Sequence, residues 1–94
     1  YENYSANQIE IGWLFDGHKQ FIFGVNVDGS AYIEYGDVDK NGDYISPESW
    51  FEFPSKSHII ENRSLWKEYN FFSEGKDLIP LYEDCIEMLS DINT

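Results

Sequence analysis

A chain of 94 residues and 11.0 kDa has room for one hydrophobic core and excludes a second domain. Hydrophobic residues make up 41% and aromatics 18%, more buryable mass than a disordered chain carries. Eighteen acidic against six basic side chains give a net charge of −12, which opposes direct contact with nucleic acid or an anionic membrane and favours a basic protein partner.

Residues 8–15, QIEIGWLF, place Ile9, Ile11, Trp13 and Phe15 on one face by strict alternation, the pattern of a half-buried strand. Residues 19–27 repeat it with Phe21, Phe23, Val25 and Val27. Matching the apolar faces antiparallel sets Phe15 opposite Phe21, Trp13 opposite Phe23 and Ile11 opposite Val25, across a loop of Asp16, Gly17, His18, Lys19 and Gln20. A third strand, 31–35, fits the same face with Val27 opposite Ala31, Val25 opposite Ile33 and Phe23 opposite Tyr35, and Asp28-Gly29-Ser30 turning. The three form a meander.

Residues 36–43 are loop formers apart from Val38. After them, Ser46-Pro47-Glu48-Ser49 reads as a helix cap, yet Trp50, Phe51 and Phe53 before Pro54 read equally as a fourth strand. His58-Ile59-Ile60 reads as an edge strand, and Ser64 as the cap of a short helix to about Phe72, with Gly75 breaking the chain. From Asp77 to about Ile92, Leu78, Tyr82, Cys85, Leu89 and Ile92 recur at helical spacing, with Pro80 tolerated in the first turn. Strands first and helices last predict an α+β domain: an antiparallel meander of three to four strands, covered on one face by a long C-terminal helix and a shorter preceding one.

Catalytic signals are thin. His18 lies in a turn and His58 on the expected edge strand, without metal-ligand spacing between them, and Cys85 falls within the apolar stripe of the helix, so it reads as core. No phosphate loop or nucleophile elbow is present, and the chain is read as a non-enzyme that takes no cofactor. No apolar run approaches the length of a membrane span. The single Cys excludes an internal disulfide framework and fits a reducing cytoplasm. The chain starts at Tyr1 rather than Met, so any signal peptide would already be missing.

Asp37, Asp39, Asn41, Gly42 and Glu48 match the spacing of an EF-hand calcium loop letter for letter. The flanks disagree, because an alternating strand precedes the loop where a helix belongs, Tyr44 replaces an aliphatic residue, and Pro47 precedes Glu48. Calcium binding tighter than millimolar is therefore not expected.

Charge is distributed unevenly. Residues 30–52 hold six acids and one Lys, and residues 77–94 hold five acids and no base. Glu87 and Asp91 occupy the final turns of the expected helix, where the macrodipole disfavours anions by about 0.3–1 kcal/mol each. In the first block Glu34, Asp37, Asp39, Asp43 and Glu48 read as solvated steering and pairing groups, with Tyr32 and Tyr44 as aromatic anchors for an Arg/Lys-rich partner. Tyr35 and Trp50 read as core. The Asp84/Glu87/Asp91 face is the competing site.

In size, acidity and aromatic content the chain resembles the immunity proteins that bacteria make against their own nuclease toxins. The resemblance is one of class, with no diagnostic motif. It implies a non-catalytic inhibitor that occludes the cationic active-site surface of a nuclease toxin domain. The alternatives are a DNA-mimicking anti-defence inhibitor and a calcium-binding module built on residues 37–48.

Overall fold

The computed structural model describes residues 2–64 and 78–94. Five strands, β1 (Glu2–Tyr4), β2 (Gln8–Phe15), β3 (Lys19–Asn26), β4 (Ala31–Asp37) and β5 (Ser49–Phe53), form one antiparallel sheet in the order of the chain. Among the described residues, the helices α1 (Lys56–Glu61) and α2 (Leu78–Ile92) follow. The α+β class is as expected. The sheet has one strand more than expected, because the polar Glu2-Asn3-Tyr4 pairs with β2 without any apolar alternation to announce it.

The faces of β2, β3 and β4 follow the alternation, but both registers differ from expectation by two residues. Phe15 pairs with Lys19, Trp13 with Phe21 and Ile11 with Phe23. A two-residue slip leaves every side chain on its own face, so the apolar pattern cannot choose between the two registers. The turn chooses instead. Asp16 and Gly17 both take the left-handed region, at φ 54° and 76°, and close a three-residue loop in which the N–H of His18 donates to Phe15 O at 3.2 Å. Likewise Val25 pairs with Ala31 and Phe23 with Ile33, because Asn26 N–H donates to Ser30 O at 2.8 Å and closes a four-residue loop. Val27, expected in the core, sits in that loop and is 53% exposed.

Strand β5 resolves the 46–53 alternatives in favour of a strand. His58-Ile59-Ile60, expected as an edge strand, is instead helical: β5 ends before Pro54, Ser55 holds the extended position just before α1, and only Ile59 of that helix is buried. Ser64, expected as a helix cap, is itself helical; the rest of that expected helix to Phe72, Gly75 and the expected start at Asp77 lie outside the described residues.

Both helices pack on one side of the sheet. Leu78, Tyr82, Cys85 and Leu89 of α2 and Ile59 of α1 bury against Ile9, Phe21, Phe23, Val25, Ala31, Ile33 and Phe53, each large side chain contributing roughly 1.5–3 kcal/mol. Ile92, expected to complete the stripe, is 43% exposed. The Tyr82 hydroxyl donates to Gly29 O at 2.5 Å and Asn93 Nδ2 to Ala6 O at 2.8 Å, so α2 runs from the β3–β4 turn to the β1–β2 connection. Lys56 of α1 pairs with Glu83 of α2 and ties the two helices together. Among the described residues, no helix is long and apolar enough to cross a membrane.

Candidate functional site

With both helices on one side, the sheet presents its other face without a described helix on it. Strand registers assign Gln8, Glu10, Gly12 and Leu14, then Gln20, Ile22, Gly24 and Asn26, then Tyr32, Glu34 and Gly36, and finally Trp50 and Glu52 to this open face. Three of these strand residues are Glu, and none is Lys or Arg.

The aromatic centre is a stack. Tyr32 and Trp50 are diagonal neighbours on β4 and β5, their ring centroids 4.7 Å apart and their planes within 5° of parallel. Tyr32 lies flat across Gly24 of β3, where any Cβ would overlap its ring, so this strand glycine is a condition of the platform. The Tyr32 hydroxyl donates to Glu10 Oε2 and accepts from Gln8 Nε2, which pins the ring from the far side. The indole Nε1–H of Trp50 donates to Glu52 Oε1 at 3.1 Å. Tyr32 is buried by this packing while Trp50 remains 48% exposed.

A second aromatic group closes the neighbouring end. Val38 bridges to Tyr44, folding the loop back so that the Tyr44 ring rests on Gly36. Gln20 Nε2 donates to the Tyr44 hydroxyl at 3.5 Å, and that hydroxyl lies close enough to the Glu34 carboxylate for each to affect the other's protonation. Burial pushes the Tyr44 hydroxyl up to about 12, with the charges of Glu34 and Glu48 adding to it. Glu34 is also raised, first by burial and then by the charges of Glu48 and Glu10, against the lowering effect of the nearby Tyr44 hydroxyl.

Of the expected interface residues, Tyr32, Glu34, Tyr44 and Glu48 come together on or beside this face. Asp37, Asp39 and Asp43 do not: they belong to the end of β4 and the loop beyond it. Asp39 is not a freely solvated group, because its Oδ1 accepts from the N–H of Asn41 at 2.8 Å and of Asp43 at 3.1 Å and so holds the loop in shape. Asp37 Oδ1 lies 3.4 Å from His18 Nδ1. The structure also corrects the reading of Trp50 as core. Tyr35 fits that reading, stacked on Phe51 on the helix-covered side at 6.1 Å. Glu10, Gln8, Trp50 and Glu52 were missed; the signal was available in their parity, since pairing 49–53 with 31–35 puts Trp50 and Glu52 on the same side as Tyr32 and Glu34.

The calcium-loop resemblance has strand β4, not a helix, before it. Among the described residues, no three His, Cys, Asp or Glu side chains converge as a metal site. Cys85 is fully buried, and burial pushes its thiol up to about 11, the reverse of what an activated nucleophile requires. No protein-family model, curated protein or solved structure matches this chain.

Proposed function

We propose that this protein is a non-catalytic acidic inhibitor of the toxin-immunity type, and that its open sheet face covers the cationic surface of a basic partner such as a nuclease toxin domain. The supporting observation is the exposed Trp50 stacked on Tyr32 within a face whose charged strand positions are Glu10, Glu34 and Glu52, with no base among them. A carboxylate-rich face steers a cationic protein by long-range attraction. A preformed ring stack then supplies contact area at little cost in side-chain entropy. The same acids repel the phosphates of a nucleic acid, so the partner's nucleic-acid-binding cleft, rather than its substrate, is the surface that fits.

The test is capture of a partner from the source cells on immobilised protein, with the Trp50→Ala/Glu52→Lys variant as the control column. The reading expects a basic nuclease that is retained by the parent, is lost from the variant, and has its nucleic-acid cleavage blocked by the parent in solution. Retention of one partner equally by both columns, or a retained partner without a basic surface, contradicts it.

A further inference from the structure

The open face has a concavity at the end where β3 turns into β4. There a recess of about 500 Å³ is walled by Tyr32 and Trp50, rimmed by Gln8, Asn26 and Glu52, and bounded at the end of β5 by Phe53 and Pro54. Among the described residues, no Lys or Arg lines it. One face of the Trp50 indole is taken by Tyr32, and close to half of the residue's surface stays exposed. The Trp50 Nε1–H donates to Glu52 Oε1 at 3.1 Å, which sets the carboxylate of this exposed residue beside the ring. A planar cation with several donors suits this arrangement, since a guanidinium stacks on an aromatic face and forks onto a carboxylate at the same time. An ammonium is compact and strongly hydrated and gains less from the ring.

We propose that the recess between Trp50 and Glu52 seats one arginine side chain of the basic partner, the guanidinium lying against the indole and donating to Glu52 Oε2. The source of the arginine rests on the function proposed above. The recess itself is testable without a partner.

The experiment is a titration of the intact protein, followed at the indole N–H resonance of Trp50, with N-acetyl-arginine methylamide and with its lysine and norleucine counterparts. The resonance is assigned by its loss in Trp50→Phe. The arginine derivative is expected to give a saturable shift, half-complete at a concentration at least about fivefold below that of the lysine derivative. Norleucine is expected to leave the resonance in place. Glu52→Gln, a change at an exposed position, should weaken the arginine response about fivefold or more without moving the Trp13 indole. An equal response to lysine or norleucine, an unsaturable drift, or indifference to Glu52→Gln overturns the proposal. So does a shift that follows protein concentration and vanishes in Arg63→Gln, which assigns the recess to a second copy. A recess that fails while Glu48→Lys/Glu52→Lys still weakens a captured basic partner leaves the acidic-face reading standing. A recess that takes arginine while no basic partner competes for it counts against that reading alone.

Discussion

Tyr32 lies across the backbone of Gly24 so closely that a methyl group on Gly24 would occupy the same space as the Tyr32 ring. The ring has little freedom to yield, because Glu10 and Gln8 hold its hydroxyl and Trp50 stacks on it. Gly24→Ala is therefore expected to destabilise the fold by about 1–3 kcal/mol, the usual range for overpacking. In a Tyr32→Ala background the same change should cost less than about 0.5 kcal/mol, since the conflicting ring is gone. Urea midpoints for the four proteins give the coupling, and strict additivity would show that Tyr32 does not lie over Gly24.

Leu89 and Ile92 share one helical face but differ in burial, at 2% and 43% exposed. Leu89→Asp places an unpaired carboxylate in the core and should cost several kcal/mol. Ile92→Asp should cost less than about 1 kcal/mol. Melting temperatures decide this, and equal losses for the two variants would contradict the packing of α2.

The buried Cys85 thiol makes stability depend on alkaline pH. Burial holds its folded value at about 11, above the ordinary value of 9.0, so the native state holds the proton longer than the unfolded chain does. Stability from this group is complete below about pH 9 and is lost as pH rises toward 11, by an amount on the order of 2–3 kcal/mol. Cys85→Ala should be less stable than the parent at pH 8, and the gap should narrow by pH 10.5 in denaturant titrations. A gap that stays constant with pH would mean that the thiol is not desolvated.

Calorimetric titration of the intact protein with calcium should give no binding tighter than about millimolar. The reason is geometric, since Asp39 Oδ1 is occupied by the amides of Asn41 and Asp43 and the loop follows a strand. A micromolar isotherm abolished by Asp37→Ala would contradict this.

Period-2 and period-3.6 patterns carried most of the fold: the faces of β2, β3 and β4 and the buried part of α2 can be read directly from Ile9 to Phe15, Phe21 to Val25, Ala31 to Tyr35 and Leu78 to Leu89. The registers could not, because a slip of two residues preserves each pattern and only the left-handed Asp16 and Gly17 and the Asn26–Ser30 closure distinguish the alternatives. Strand β1 has no apolar period, and three apolar-leaning residues at 58–60 are too few to separate a strand from a helical turn. The site was half visible for a related reason. Tyr32 and Glu34 declared their face through β4, whereas the face of Trp50 depended on whether 49–53 formed a strand at all. Acid content marked the loop after β4 as strongly as the sheet, and composition does not reveal that Asp39 spends its carboxylate on its own backbone.

Association kinetics provide the most direct test that the open face, and not the C-terminal helix, meets the partner. Rapid mixing with the captured basic partner is compared for the parent, for Glu48→Lys/Glu52→Lys on and beside the open face, and for Glu87→Lys/Asp91→Lys on α2. All four positions are exposed, so melting temperatures should shift by no more than about 2 °C. The open-face pair should slow association about tenfold or more at low salt and flatten its salt dependence, while the helix pair stays within about twofold of the parent. Slowing by the helix pair with no effect of the open-face pair would contradict the account.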